Sequence, residues 1–117
     1  MRLAEQHCVA CRGGLPRLAE AELSAGLEEL QGWMLGDGAT RLQRSFRFLD
    51  FAEAMRFVDA MAAVAEEEQH HPDFSVHWNR VEVTIWTHDA GGLTANDLVL
   101  AARLGALPEG QGAPAAS

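Results

Sequence analysis

Apolar residues recur at helical spacing in two long stretches of the chain. Leu23, Leu27 and Leu30 lie three or four residues apart among glutamates, which predicts an amphipathic helix over residues 18–30. The second stretch forms a longer stripe with the same spacing, made of Phe51, Ala54, Met55, Val58, Met61, Ala62 and Ala65. This stripe predicts a second helix with one buried face.

Capping residues indicate where helices start. Asp50 precedes the second stripe and Glu53 follows three residues later, which is the spacing of a capping box. Thr94 and Asp97 repeat this spacing and predict the start of a last helix.

Pro72 indicates where the second helix ends. The residue before a proline is held out of the α region and adopts extended geometry. We therefore expect His70 to close the helix and His71 to open an extended segment.

Four segments with alternating or short apolar runs predict β-strands. They cover residues 33–35, 39–48, 74–78 and 81–88. A two-residue turn at Asn79 and Arg80 would place Trp78 opposite Val81 and set the register of the last two strands.

The elements follow the order α-β-β-α-β-β-α, which predicts an α+β domain with an antiparallel sheet and helices packed on one face. We expect a flexible N-terminal arm over residues 1–17, one domain over residues 18–107 and a disordered tail over residues 108–117. The tail is small and polar, so it offers no apolar face to pack.

Length and charge exclude several classes of protein. The 117 residues suffice for one domain. The net charge of −8, from 17 acidic and 9 basic residues, disfavours nucleic-acid binding, because such a surface repels phosphates. No apolar run approaches the roughly 18 residues of a membrane span, and the first residues lack the apolar core of a secretory signal. We therefore expect a cytoplasmic protein that contacts no membrane.

Cys8 and Cys11 form a C-x-x-C pair near the N-terminus. Zinc needs four ligands and the chain has no second cysteine pair, although His7 could add one ligand. We expect two thiols in the flexible arm. A metal shared between subunits is the alternative.

Four of the five histidines lie between Glu66 and Asp97. His70 and His71 are adjacent at the expected helix end, and His88 ends a later predicted strand. Imidazoles both accept and donate protons near neutral pH, so this grouping favours general acid–base chemistry. No serine lies in a nucleophile-elbow motif, and both cysteines lie in the arm.

The spacing of these residues resembles the signature of the pterin-4a-carbinolamine dehydratases. The positions that carry the resemblance are Glu66, His70-His71-Pro72, Trp78, His88 and Asp97, with the flanking Asn79-Arg80-Val81, Thr87-His88 and Gly92-Leu93. It extends over most of residues 18–107. Trp86 stands where the family is expected to have a smaller residue.

The resemblance implies a fold, a reaction and a site. The implied fold is a four-stranded antiparallel sheet backed by helices, in a homodimer or homotetramer. The implied reaction is the loss of water from 4a-hydroxytetrahydropterin to give quinonoid dihydropterin, without metal or organic cofactor. It would complete tetrahydrobiopterin recycling after an aromatic amino-acid hydroxylase. The implied catalytic residues are His70, His71 and His88, and the implied substrate-binding residues are Glu66, Pro72, Asp73 and Asp97.

Three alternatives remain open beside this interpretation. One is a metal site built from His70, His71, His88 and Glu66, although adjacent histidines are awkward joint ligands of one ion. Another is a non-enzymatic dimerisation or coactivator-type module, since animal relatives of the fold assist a homeodomain transcription factor. The third is a related pterin activity linked to molybdopterin. Asp97 has two open roles, as a helix cap or as part of the pocket.

Overall fold

The computed structural model describes residues 3–8 and 16–111. Its helices are α1 (Glu20–Leu27), α2 (Phe51–Glu68), α3 (Ala95–Gly105) and α4 (Pro108–Gln111), with 3₁₀ turns at Leu3–Glu5 and His88–Ala90. Its strands are β1 (Met34–Gly36), β2 (Arg41–Arg47), β3 (Asp73–His77) and β4 (Arg80–Ile85). None of these helices is long and apolar enough to cross a membrane.

The strands form one antiparallel sheet in the order β1-β2-β4-β3. This confirms the predicted α+β fold class and the predicted order of helices and strands. One face of the sheet carries the buried side chains Leu42, Phe46, Val81, Val83 and Ile85. The Phe57 ring of α2 packs on this face, with its centroid 4.4 Å from that of Phe46. The core therefore lies between this face and the helices.

Both predicted capping sites start helices. The Asp50 carboxylate accepts the backbone N–H of Glu53 at 2.9 Å, where α2 begins. The Asp97 carboxylate accepts the backbone N–H of Thr94 at 2.8 Å, where α3 begins. These bonds satisfy N–H groups that lack a partner within the helix.

Helix α2 ends two residues before His70. Gln69 adopts a left-handed backbone with φ 53°, and the N–H of His70 donates back to the carbonyl of Ala65 at 3.2 Å. His70 therefore follows the helix C-cap instead of closing the helix itself. Left-handed C-caps of this kind end helices by satisfying carbonyls of the last turn.

The register of β3 and β4 differs by two residues from the prediction, because the turn consists of Trp78 and Asn79. Val81 pairs with Val76, so Trp78 has no strand partner. The cause is two long-range hydrogen bonds between Phe48 and Asn79. The Phe48 N–H donates to the Asn79 carbonyl at 2.7 Å, and Asn79 Nδ2 donates to the Phe48 carbonyl at 3.0 Å. A shift of two preserves the faces of the sheet.

The N-terminal residues differ from the expected flexible arm. Residues 3–8 pack against the domain, where Leu3 is buried and Cys8 packs against the core. Cys11, with residues 1–2 and 9–15, lies outside the described part.

The expected disordered tail begins with a short helix, α4, which starts at Pro108. Proline is favoured at a first helical position. The backbone of Gly110 approaches the Phe57 ring so closely that an added Cβ would lie 3.1 Å from it. Residues 112–117 lie outside the described part.

Candidate active site

His70 forms a hydrogen-bonded pair with Asp97. The end of α2 delivers the imidazole and the first turn of α3 delivers the carboxylate, and the Nε2–Oδ1 distance is 2.6 Å. The Asp97 side chain is 0% exposed and the His70 side chain 11% exposed. An ionised carboxylate can only accept here, so Nε2 of His70 carries a proton, and in the neutral ring Nδ1 keeps its lone pair. Asp97 therefore holds the His70 ring in one orientation, where most of the ring is shielded from solvent.

Asp97 holds the histidine and caps the helix at the same time. Its Oδ1 contacts His70, whereas its Oδ2 accepts from the N–H of Thr94 at 2.8 Å and from the Oγ1 of Thr87 at 2.7 Å. The Thr87 and Thr94 hydroxyls are 3.0 Å apart and both residues are buried. The same carboxylate thus caps α3 and contacts His70. Thr87, which the sequence did not single out for this site, completes the network.

His71 pairs with Glu66 on the outer side of α2. Its Nε2 lies 2.5 Å from Oε2 of Glu66, and both side chains are more than half exposed. An ion pair so exposed contributes little to stability. It does, however, fix the ring beside a small cavity of about 130 Å³, lined by Met61, Ala62, Ala65, Glu66, His71, Pro72 and Phe74. Three predicted site residues therefore share one cavity.

His88 lies in the 3₁₀ turn after β4, where its ring stacks on Trp86 with centroids 3.8 Å apart. The guanidinium carbon of Arg41 lies 3.3 Å from the centre of the same indole. Trp86 Nε1–H donates to Oδ2 of Asp73 at 3.3 Å. Asp73 and His88 are thus joined through Trp86. Arg41 was not predicted for the site; its sequence signal was only its position on the polar face of β2.

The predicted site residues form three arrangements: the His70–Asp97 pair, the His71–Glu66 cavity and the stack of His88 on Trp86. Within residues 3–8 and 16–111, no hydrogen bond or ring contact joins the three imidazoles to one another. In the same residues, the one group of potential metal ligands with mutually close atoms is His7, Glu67 and Glu68. The described residues therefore do not bring His70, His71 and His88 together as ligands of one ion.

The chain is similar to known proteins over most of its length. The profile of the family described as pterin 4 alpha carbinolamine dehydratase matches residues 16–107. A protein of Stenotrophomonas maltophilia (strain K279a), named provisionally as a pterin-4-alpha-carbinolamine dehydratase, is 45% identical over 107 residues, which are 92% of each chain. A protein of Rubrobacter xylanophilus with the same provisional name is 46% identical over 102 residues, covering 87% of this chain and 94% of that protein.

Two solved structures share the fold. A transcriptional coactivator/pterin dehydratase from Brucella melitensis aligns with a TM-score of 0.73 at 40% identity, over 77% of this chain and 96% of that one. A pterin dehydratase-like protein, described as a RuBisCO assembly factor in the alpha-carboxysome, aligns with a TM-score of 0.56 at 25% identity, over 65% of this chain and 88% of that one.

Proposed function

Since the chain belongs to the pterin-4a-carbinolamine dehydratase family, we propose that it removes water from 4a-hydroxytetrahydropterin by histidine acid–base catalysis. The product is quinonoid dihydropterin. The observation that carries the proposal is the His70–Asp97 pair, since a buried carboxylate 2.6 Å from Nε2 fixes the tautomer of the ring. This is what a general base needs in order to present a free Nδ1 to the substrate.

The dehydration requires two proton transfers. In its imidazolium form, His71 gives a proton to the 4a-hydroxyl, and the C–O bond breaks with release of water. His70 Nδ1 takes a proton from the pterin, whose ring electrons form the new double bond. Proton exchange with solvent then restores both imidazoles, and the exposure of His71 gives water access to it. No electrons leave the substrate, so the step needs no oxidant.

The remaining predicted residues support this step. Glu66 orients His71, and Pro72 lines the same cavity. The apolar surface of Phe74 beside them offers a face to the flat pterin ring. Asp73 holds the Trp86 indole on which His88 stacks. In a cell, the reaction of an aromatic amino-acid hydroxylase would supply the substrate.

The proposal is tested by alanine substitution of single histidines. Removing one positioned acid or base typically costs on the order of 10² to 10⁴ in rate. We expect losses of this size for His70→Ala and His71→Ala, and a measurable loss for His88→Ala. His77→Ala is the matched control, because this half-exposed imidazole contacts only Glu82 and Ser75 among the described residues. It should keep wild-type turnover.

The assay follows carbinolamine dehydration spectroscopically, with and without a chelator, above the uncatalysed background. Unchanged activity with chelator removes the metal alternative. If all three site variants fold and retain wild-type turnover, acid–base catalysis by these histidines is refuted.

A second candidate is an interaction module, because one solved relative is described as a transcriptional coactivator/pterin dehydratase and another as an assembly factor. Leu49 and Trp78 flank the hydrogen-bonded residues Phe48 and Asn79, and both are more than two-thirds exposed. Exposed apolar groups placed close together are typical of protein contacts. Wild-type protein without dehydratase activity would favour this candidate.

A further inference from the structure

The carboxylate of Glu68 is buried at the end of α2, although it is charged. Its side chain is 2% exposed. Both oxygens are bonded to the N-terminal segment, defined here as residues 3–8: Oε1 accepts the backbone N–H of Cys8 at 2.6 Å, and Oε2 contacts Nδ1 of His7 at 2.7 Å. A buried carboxylate is tolerated only when such partners replace its hydration.

These contacts also lower the pKa of Glu68. Burial by itself raises the pKa, but the hydrogen bonds from His7 and from the Cys8 N–H, with the charges of His7 and Arg103, bring it below its ordinary value of 4.5. The contacts with His7 and Cys8, together with the charge of Arg103, therefore stabilise the ionised form more than burial destabilises it.

The N-terminal segment also contacts the other helices. The N–H of Leu3 donates to Oε1 of Glu29, just after α1, at 3.0 Å. Arg103 of α3 donates to the carbonyl of Gln6 at 3.2 Å. The Cys8 thiol donates to the carbonyl of Asn96, in the first turn of α3, at 3.5 Å. The segment thus ties the end of α2 to the start of α3.

These two attachment points adjoin the proposed catalytic pair. Glu68 precedes His70 by two residues, and Asn96 immediately precedes Asp97. The His70–Asp97 hydrogen bond needs both the end of α2 and the start of α3 in place. Both are helix ends, where backbone groups lack intrahelical partners. We propose that the N-terminal segment, through Glu68, is a positioning element that holds His70 against Asp97. This inference rests on the proposed function for its catalytic consequence.

A cation is the competing explanation for this cluster. The ligand atoms of His7, Glu67 and Glu68 lie within 4.8 Å of one another. However, the Arg103 guanidinium lies 3.6 Å from Glu67 and 3.8 Å from Glu68. This guanidinium already supplies positive charge to both carboxylates, so the cluster is an ion-pair network.

The test uses full-length variants. Glu68→Ala removes both contacts to the N-terminal segment, and Glu68→Gln keeps an oxygen for the Cys8 N–H but removes the charge. Glu67→Gln is the matched control, since Glu67 neighbours Glu68 and also pairs with Arg103, but is 59% exposed. Misplacement of a catalytic group by about 1 Å can cost on the order of 10²-fold in rate.

We expect kcat to fall about tenfold or more for Glu68→Ala, with KM unchanged within about twofold, and to stay at the wild-type value for Glu67→Gln. A second readout is the imidazole NMR spectrum of His70. The hydrogen-bonded Nε2–H signal should be present in wild type and in Glu67→Gln, and should broaden or disappear in Glu68→Ala. A role in stability alone would leave this signal unchanged in protein that is folded at the measurement temperature.

Two results overturn the inference. One is a folded Glu68→Ala protein with wild-type kcat and an unchanged His70 signal. The other, if Glu68→Ala does not fold, is a folded Glu68→Gln protein in which both readouts equal those of wild type. If wild-type protein has no dehydratase activity, the proposed function fails by itself, and the His70 signal still decides whether Glu68 positions the ring.

Discussion

The substitution Asp97→Asn separates the two roles of the buried carboxylate, which caps helix α3 and holds the His70 ring. The carboxylate accepts on both sides: from His70 Nε2–H through Oδ1, and from the Thr94 N–H and the Thr87 hydroxyl through Oδ2. An amide has one acceptor and one donor end. The backbone N–H of Thr94 cannot reverse its role, so the amide oxygen must face Thr94 and the NH₂ group must face His70. His70 Nε2 then becomes an acceptor, and its proton moves to Nδ1.

Asp97→Asn should reduce activity much more than it reduces stability. The amide keeps the cap on Thr94, so the stability loss is mainly that of one charge-assisted hydrogen bond, about 1.5–3 kcal/mol. Activity should fall much more, because the proton on Nδ1 occupies the position where the base must accept one. We expect a loss within the range of about 10² to 10⁴ for removal of a general base.

Two measurements on the same samples test this expectation: the free energy of unfolding in urea and the turnover in the dehydration assay. Thr94→Ala is the control, since it removes a hydroxyl from the cap network and leaves the His70 contact in place. It should cost about 1 kcal/mol of stability and keep most of the activity. If Asp97→Asn keeps wild-type turnover, or if Thr94→Ala loses as much activity, the tautomer argument is wrong.

Two further predictions concern pH and assembly. Because the folded pKa of Glu68 is lowered, its stabilising contribution is complete above the ordinary value of 4.5 and is lost as pH falls through the lower folded value. The urea midpoints of wild type and Glu68→Gln should therefore converge below about pH 4.5, and a constant difference would contradict this. We also predict a homodimer or homotetramer, since α2 exposes Ala62 and Ala63 and the edge strand β3 exposes Phe74. Light scattering at micromolar concentration checks this, and a monomer mass would refute it.

The helix starts were predictable because their chemistry is local. An N-cap side chain and the N–H that it accepts lie three residues apart, so Asp50 with Glu53 marks the start of α2 in the sequence itself. The apolar stripe of α2 is local in the same way. Its members Ala54, Val58, Met61 and Ala65 are buried as their spacing predicted. Phe51 and Ala62, which the same stripe predicted to be buried, are exposed.

The strand register was not predictable from neighbouring residues. Asn79 belongs to the turn because its carbonyl and its side chain bond to Phe48, which is 31 residues away in the chain. Trp78 then takes a left-handed backbone with φ 54°, which is rare for a bulky residue. A turn rule based on residue type alone placed the turn one residue too late.

The contacts of the N-terminal segment were likewise not predictable from neighbouring residues. The first residues of the chain show no sustained apolar periodicity, so the sequence does not indicate that Leu3 is buried. Glu68 belongs to a run of three glutamates that is typical of a solvated helix end. Its burial depends on His7 and Cys8, which lie 61 and 60 residues away. Only the fold brings these partners together.

The contact between Thr87 and Asp97 follows from the alternation of side chains along an extended segment. Thr87 is the residue directly before His88. Neighbouring side chains on an extended segment point to opposite sides. Trp86 and His88 stack on one side, so Thr87 between them points to the other, where its hydroxyl meets Asp97. The histidine pattern emphasised His88 as the third imidazole beside His70. The backbone instead places Thr87 beside Asp97 and puts the His88 ring on the side of Trp86 and Arg41.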